Sequence, residues 1–478
     1  MRLFKIFLLF ILITTLFSCK KWLDVKPDTE KDRDELITSS AGFKQMLFGV
    51  YSGMVDNSLY GHQLTYGALE SVAYNNYFSY GGFTSWNYTS TDNRPVMDAI
   101  WNKMYNTVAN DNSILKAIDE KKSLFTAQEF AVIKGESLAL RAFMHFDLLR
   151  MYAPAYTLDS TVIALPYVES YESIRYEHLR SSEVIARALR DLNEAEALLS
   201  ADPIFTAGLE NSSSSKTDFL TNRQYRFNYW AVEALKARIY LYTGDKVNAA
   251  LYANKVIEKG PFKWVDPATL TGDSPDVVFM PELIFALNVS NLETYYQTYF
   301  ASGLYTVGSG NSSYAATVFD DLNDYRYLYQ MTADSYGNKT VSAKYKQKVN
   351  AYSVIRKQTM PMLRLGEMYL IAAECALSAG DKATSITLLR ELRFRRGYLS
   401  ADRSIGNDIT DQNLKSLMVK EFRKETFMEG QTFFNYKRLN QTTIPAFFSY
   451  FGEPVAGPVK FVFPIPEAEK EFGNIPSN

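Results

Sequence analysis

Residues 420–438, KEFRKETFMEGQTFFNYKR, join a charged stretch to an aromatic one. Leu414, Met418 and Phe422 recur at helical spacing, which predicts an amphipathic helix with one stripe facing a core. We expect the helix to end at Gly430, where glycine permits a backbone reversal. Three carboxylates lie four residues apart, with lysine and arginine residues close to them in the same stretch. Ion pairing is therefore favoured over general acid or base chemistry. These carboxylates are Glu421, Glu425 and Glu429.

This stretch resembles the C-terminal signature of the SusD/RagB family, the outer-membrane nutrient-binding lipoproteins of Bacteroidetes. That family usually shows a Glu-Leu-x-x-Glu-Gly helix followed by Arg-Phe-Phe-Asp-Leu-x-Arg. The matching positions are Glu421, Phe422, Glu425, Glu429, Gly430, Phe433, Phe434 and Arg438. Gln431 and Asn435 depart from the pattern. Further family-like stretches lie around Trp101, around Glu136 and Arg141, and at Pro464-Ile465-Pro466.

Composition excludes several classes of protein. The chain has 478 residues, 47% of them apolar, and a net charge of −2 from 51 basic and 53 acidic residues. Such a chain can bury a large core, but it has no charge excess that would concentrate nucleic acid. The two cysteines and three widely separated histidines do not supply a zinc site or a Cys-His dyad. We therefore expect no metal, no cofactor and no catalytic residue.

The amino terminus has the pattern of an exported lipoprotein. Arg2 and Lys5 precede an apolar run over 6–17, too short to span a bilayer but typical of a signal peptide. The run closes in Leu-Phe-Ser-Cys, which resembles a lipobox and predicts lipidation of Cys19. Residues 1–18 are therefore interpreted as a signal peptide and residues 19–38 as a lipidated tether.

Helical periodicity dominates the rest of the chain. We predict helices over 40–54, 95–118, 136–152 and 182–199, the first three of them carrying apolar stripes. Arg141 is predicted to be buried beside Glu136 or Asp147, and His145 and Cys375 are predicted to be packing residues. Residues 39–209 form the predicted N-terminal helical half, which includes an aromatic loop.

Two later segments overlay when Gly244-Asp245 is placed on Gly380-Asp381. Each reads as two helices around a tight turn, which resembles a tetratricopeptide unit. We predict a helical hairpin over 225–261, a loop-rich insertion over 262–353, and a second hairpin with the signature region over 354–478. The expected fold is mainly α, a tetratricopeptide-like solenoid with irregular insertions and a few short strands.

Two segments are crowded with aromatic rings and lack helical period, residues 74–88 and the insertion. Aromatic rings stack on the C–H faces of sugars, while asparagine side chains bond to hydroxyl groups. These segments are therefore the predicted ligand site, although each ring on its own is more simply explained by packing. The candidates are Tyr74, Tyr77, Tyr80, Trp86, Asn87, Tyr295, Tyr296, Tyr305 and Tyr314.

The family resemblance implies a non-catalytic lipoprotein of the outer membrane, anchored by lipid and exposed at the cell surface. It implies capture of an oligosaccharide or polysaccharide and its delivery to a SusC-like TonB-dependent transporter. Two alternatives stay open: the same fold could bind peptide or serve only as a scaffold, or the chain could be a lipid-anchored glycoside hydrolase with two carboxylates.

Overall fold

The computed structural model describes residues 33–78, 83–172, 174–209, 219–309, 318–319, 321–347, 358–398, 405–445, 454–455 and 459–476. The predicted signal peptide, Cys19 and most of the tether lie outside these residues. The helices are α1 (Ser40–Met54), α2 (Ala68–Val72), α3 (Arg94–Ile118), α4 (Ala127–Tyr152), α5 (Ser181–Leu199), α6 (Ile204–Ala207), α7 (Tyr229–Thr243), α8 (Lys246–Lys259), α9 (Leu292–Tyr295), α10 (Tyr325–Gln330), α11 (Leu365–Ser378), α12 (Lys382–Arg395), α13 (Asp411–Glu425), α14 (Thr432–Arg438) and α15 (Glu467–Phe472).

The strands of the described part are short and pair in small antiparallel groups. The strands are β1 (Tyr77–Phe78), β2 (Ile163–Leu165), β3 (Leu179–Arg180), β4 (Leu283–Asn288), β5 (Tyr305–Thr306), β6 (Gly308–Ser309), β7 (Met331–Ala333), β8 (Lys339–Ser342), β9 (Thr359–Arg364), β10 (Ile444–Pro445) and β11 (Pro454–Val455). β4 pairs with β9, β2 with β3, β10 with β11, β1 with β5, and β8 lies between β6 and β7. The mainly α fold with a few short strands is confirmed.

The helices pack side by side largely in chain order, as a solenoid requires. α3 contacts α4, α4 contacts α5, α5 contacts α7, and α7 forms a hairpin with α8. α8 in turn packs on α11, which forms the second hairpin with α12. Each hairpin buries one face against its neighbour, and α11 contributes both to the main apolar cluster and to a second cluster that it forms with α12 and α13. The tetratricopeptide-like architecture is therefore confirmed.

The two overlaid hairpins turn in the same way. Gly244 and Gly380 have positive φ angles of 87° and 84°, a conformation that glycine adopts without steric cost. Asp245 and Asp381 then cap the following helices, each accepting a hydrogen bond of 3.0 Å from a backbone N–H three residues later. Matching sequence therefore produces matching turn and cap geometry.

The predicted helix starts and ends are close to those observed, with one large difference. α1 spans 40–54 as predicted, and α3 and α5 each begin one residue early. α4 instead begins at Ala127, nine residues before the predicted start. Thr126 and Glu129 form a reciprocal capping box there, which fixes the earlier start.

The signature stretch is two helices rather than one that reaches Gly430. α13 ends at Glu425, and Met428 and Gly430 both have positive φ angles, 61° and 70°. The buried Glu70 carboxylate accepts hydrogen bonds from both of their N–H groups, at 3.2 and 2.8 Å. Gly430 is also required sterically, because a Cβ atom there would lie 2.1 Å from the Leu64 carbonyl oxygen. A distant carboxylate thus ends the helix early.

The three signature carboxylates are buried and paired, but mainly with cations from elsewhere in the chain. Glu421 does contact Lys424 of its own helix at 2.6 Å, as expected. Arg326 of α10 reaches both Glu421, at 2.8 Å, and Glu425, at 3.0 Å. Further partners are Arg393 for Glu421, Arg396 and Arg364 for Glu425, and Lys344 and Arg364 for Glu429. The expectation of pairing within the stretch was therefore largely wrong.

Arg141, His145 and Cys375 are buried, as predicted. The Arg141 guanidinium donates to Asp191 at 2.7 Å, so the predicted partners Glu136 and Asp147 were wrong. Asp191 lies on α5, and α5 packs against α4, the helix that carries Arg141. His145 accepts from the backbone N–H of Val168 at 2.9 Å, and its Nδ1 lies 2.8 Å from the Arg141 carbonyl.

Candidate functional site

A short strand pairing joins the two segments that the sequence marks as aromatic. β1 in the 74–88 segment runs antiparallel to β5 in the insertion, with Tyr77 opposite Thr306 and Phe78 opposite Tyr305. Backbone hydrogen bonds between strands fix this register. Segments that are far apart in sequence therefore form one region of the molecule.

Three rings form a stack beside this pairing. The His62 imidazole lies 4.2 Å from the Tyr299 ring at an interplanar angle of 18°. The Tyr299 ring lies 5.1 Å from that of Tyr305, again at 18°. The Tyr305 hydroxyl closes the arrangement through a 2.7 Å hydrogen bond to His62 Nε2. Offset stacking and this bond hold the rings in one orientation.

Tyr295 and Tyr299 are half-buried rings of this region. They are four residues apart across α9 and the π-helical turn Tyr296–Ala301, so they lie on one face, with ring centroids 6.2 Å apart. Tyr296 and Phe300 point the other way, where they are buried and stack on each other. We call the pair Tyr295 and Tyr299 the aromatic surface.

The rings of the first segment form a separate pair. Trp86 is 6% exposed, and its Nε1 donates to the Val72 carbonyl at 3.2 Å. The half-buried Tyr74 ring packs on it at 5.1 Å. Asn87 is exposed, and its carbonyl accepts a 2.9 Å hydrogen bond from Asn93. The Asn87 side-chain Oδ1 accepts a 3.3 Å hydrogen bond from the Thr89 hydroxyl, and Trp86 chiefly supports the loop.

Burial sets the charge state beneath the aromatic surface. It lowers the pKa of His62 to about 3, so the imidazole is neutral near pH 7. Burial also raises the pKa of Tyr305, and the Tyr299 hydroxyl adds to that effect. His62 and Tyr305 therefore form an uncharged support for the half-buried aromatic surface.

The predicted candidates fall into distinct groups. The structure brings together Tyr295, Tyr296 and Tyr305, pairs the backbone of Tyr77 with that of Thr306, and packs Tyr74 against Trp86. Tyr80 and Tyr314 lie outside the described residues. Tyr296 and Tyr305 are 2% and 5% exposed, which favours a supporting role over direct ligand contact. A ligand role for each candidate stays a prediction.

The sequence interpretation missed two members of the region. Tyr299 lies four residues after Tyr295, and this helical spacing would have indicated a shared face. His62 gave no comparable signal, because its contacts with Tyr299 and Tyr305 join positions far apart in sequence.

Within the described residues, no group of three or more His, Cys, Asp or Glu side chains is placed to hold a metal ion. Across that same part of the chain, no helix is both long and apolar enough to cross a membrane.

Family models match both halves of the chain. Residues 21–241 match a model described as "Starch-binding associating with outer membrane", and residues 281–471 match one described as "SusD family". A curated relative, SusD-like protein P38 of Formosa agariphila, is 20% identical over 91% of each chain.

Solved structures share the fold. A SusD superfamily protein from Bacteroides thetaiotaomicron has 20% sequence identity and a TM-score of 0.67, with 92% of this chain and 99% of that chain covered. A SusD-like carbohydrate binding protein from Bacteroides vulgatus has 20% identity and a TM-score of 0.68, with 91% and 97% covered. At these sequence identities, the structural similarity shows that this chain shares the fold of these proteins.

Proposed function

Because the chain belongs to the SusD/RagB family, we propose that it binds an oligosaccharide without cleaving it and passes it to a TonB-dependent transporter. The family resemblance supports the transporter, the outer membrane and the lipid anchor at Cys19. The aromatic surface supports the choice of a glycan as ligand.

The observation that carries the proposal is the arrangement of Tyr295 and Tyr299. Both rings lie on one half-buried face. The Tyr299 ring also stacks with those of His62 and Tyr305, which hold it in place. A sugar ring presents flat C–H faces that fit such a preformed aromatic surface, so little side-chain ordering accompanies binding. The exposed Asn87 amide, in the neighbouring segment, is suited to bonding with sugar hydroxyl groups.

Charge also favours a neutral ligand. The whole chain has a net charge of −2, and the support beneath the aromatic surface is uncharged because burial keeps His62 neutral. The rings of Tyr295 and Tyr299 themselves offer an anionic or cationic cargo no ion-pair partner. A neutral glycan needs none.

The solenoid is the rigid scaffold in the proposed delivery of a glycan to the transporter. Helices α4, α5, α7, α8, α11 and α12 pack on one another in that order, whereas the aromatic surface lies on the irregular insertion. Binding sites commonly occupy loops that a rigid scaffold holds in place. In this proposal the solenoid contacts the transporter and Cys19 tethers the assembly to the membrane.

The test is equilibrium binding of residues 20–478, which retain every described residue, to a panel of neutral polysaccharides and peptides. We expect saturable binding of one glycan that is recovered uncut. Tyr295→Ala should weaken that binding about fivefold to tenfold, because stacking on one ring contributes on the order of 1 kcal/mol. Trp86→Ala should act only indirectly, through the loop that Trp86 supports.

Tyr252→Ala is the matched control. Tyr252 stacks with Tyr240 at 5.6 Å on the solenoid, so this variant also removes one ring from a half-buried pair. Its glycan affinity should equal that of the unmodified chain. Binding of peptide alone would favour the peptide alternative, and cleavage of the glycan would favour the hydrolase; either result contradicts the proposal.

A further inference from the structure

A cavity of about 330 Å³ lies between the hairpins and the signature helices, on different elements from the aromatic surface. Apolar side chains supply much of its lining, among them Leu241, Ile371, Met418 and Phe422. The exposed Lys415 also lines it, which marks its opening to solvent. Its volume is within the range of about 300–1,000 Å³ that small-molecule sites occupy.

A small polar recess adjoins the cavity. The recess, of about 20 Å³, shares Leu241, Phe422, Asn435 and Arg438 with the cavity lining. Arg150 and Arg238 complete its cationic lining. We call it the arginine recess, after Arg150, Arg238 and Arg438.

Each of the three arginines has an unused hydrogen-bond donor. Glu367 pairs with Nε and Nη2 of Arg238, and Glu374 pairs with both terminal nitrogens of Arg438. This leaves Arg238 Nη1 and Arg438 Nε buried without a partner among the described residues, and Arg150 Nε is in the same state. All three side chains are more than nine-tenths buried. Unsatisfied buried donors are costly, so the recess favours an acceptor.

Positive charge is in excess around the cavity and the recess. The charged lining consists of five cations and two carboxylates: Lys246, Lys415, Arg150, Arg238 and Arg438, with Glu367 and Glu374. Burial lowers the pKa of Arg150; the Asp147 carboxylate that pairs with Arg150 opposes this shift, and the Arg238 charge adds to it. Burial also lowers the pKa of Lys437, which donates to the Arg150 carbonyl. An added anion would relieve this local excess.

We propose that the cavity and the arginine recess together bind a small apolar carboxylate, with the apolar body in the cavity and the carboxylate at the recess. The carboxylate accepts hydrogen bonds from the unused guanidinium donors, which are strong because both partners are charged. Asn435, whose Oδ1 is also unpartnered, can turn its amide and offer Nδ2 instead. This site is distinct from the proposed glycan site.

A bound water is the competing occupant of the recess, since about 20 Å³ suffices for one. Water alone would satisfy the donors but leave the charge excess and the apolar cavity without a ligand. The two cases can be distinguished by measurement, because the binding of a carboxylate ligand should depend both on its charge and on its apolar body.

The test is isothermal titration calorimetry of residues 20–478 with octanoate, octanol and acetate. Octanoate should bind saturably and about tenfold more tightly than octanol, because charged acceptors form the stronger hydrogen bonds. Acetate, which lacks the apolar body, should bind more weakly still. Equal binding of octanol and octanoate, or no octanoate binding, would show that the recess holds only water and would overturn the proposal.

Three variants locate the site. Lys415→Glu reverses an exposed charge at the opening and should weaken octanoate binding roughly fivefold. Lys420→Glu is the matched control, an exposed position on the same helix outside the cavity lining, and should leave octanoate binding unchanged. Val419→Trp fills the cavity and should abolish binding, with thermal unfolding used to confirm that the variant is folded. Octanoate binding that is unaffected by both Lys415→Glu and Val419→Trp would place the ligand elsewhere and contradict the assignment.

Discussion

At the scale of single residues, the sequence indicated that charges in the signature would be paired but not where the pairs would form. Glu425 is fully buried, and Arg326, Arg364 and Arg396 approach it from three other elements. Burial alone would raise the pKa of Glu425, but these arginines lower it. Spacing along one helix cannot reveal such partners, because they are brought together only when distant elements pack.

Gly366 of α11 provides the room for Glu425, and Gly366→Ala tests this packing. A Cβ atom at residue 366 would lie 2.1 Å from Glu425 Oε1, and the arginines prevent that side chain from moving aside. We expect the free energy of unfolding to fall by about 1–3 kcal/mol. Urea unfolding of residues 20–478, followed by circular dichroism, measures the change.

Gly49→Ala is the control for the same chemical change. Gly49 lies within α1, and a Cβ atom there would meet nothing within 4 Å. Alanine is favoured over glycine in a helix, so the free energy of unfolding of this variant should rise by about 0.5–1 kcal/mol. A Gly366→Ala variant as stable as the unmodified chain would show that Glu425 can shift and that its network is not rigid.

At the scale of elements, helices with strong periodicity and the presence of a few short strands could be predicted, whereas the pairing of the strands and the break in the signature helix could not. The hairpins followed from their own turns and caps, which are local features. β9 carries a proline and no alternating pattern, and it exists because it pairs with β4 from the start of the insertion. The break after Glu425 similarly depends on Glu70, a residue of another element.

Asp381→Ala tests the local rule behind the hairpins. The Asp381 carboxylate accepts a 3.0 Å hydrogen bond from the N–H of Thr384 and so caps α12. Its loss should lower the free energy of unfolding, seen as a lower midpoint in a urea titration. Asp381→Asn keeps an acceptor at the cap and should be nearly neutral; an equal loss in both variants would mean that charge rather than capping stabilises the turn.

At the scale of the whole molecule, the candidate site was predictable in composition but not in assembly. Ring-rich segments indicated where aromatic side chains concentrate, and the predicted candidate Tyr295 is part of the aromatic surface, although its role in ligand binding stays a prediction. The meeting of the two segments depends on β1 pairing with β5, which is not encoded by any pattern within either segment. His62 joins the stack for the same reason, through packing between distant parts of the chain.

An engineered disulfide between the two segments tests this assembly. Tyr77 and Thr306 are directly opposed in the antiparallel pairing, so their Cα atoms should be about 4.5–5.5 Å apart, within the range that a disulfide bridges. Tyr77→Cys with Thr306→Cys should therefore oxidise to a cross-linked form, detected by thiol titration and by mass spectrometry of a digest. In residues 20–478 the native cysteine is Cys375, which is buried.

Tyr77→Cys with Thr332→Cys is the control pair, because Thr332 pairs with Val341 instead and should not cross-link efficiently with residue 77. For the Tyr77–Thr306 pair, any glycan found in the binding panel should bind equally well to the oxidised and the reduced protein. This follows because the disulfide would lock an arrangement that already exists. A cross-link that forms but lowers affinity would mean that the two segments must separate for binding, and the aromatic surface would then not be the preformed platform inferred from its stacked rings.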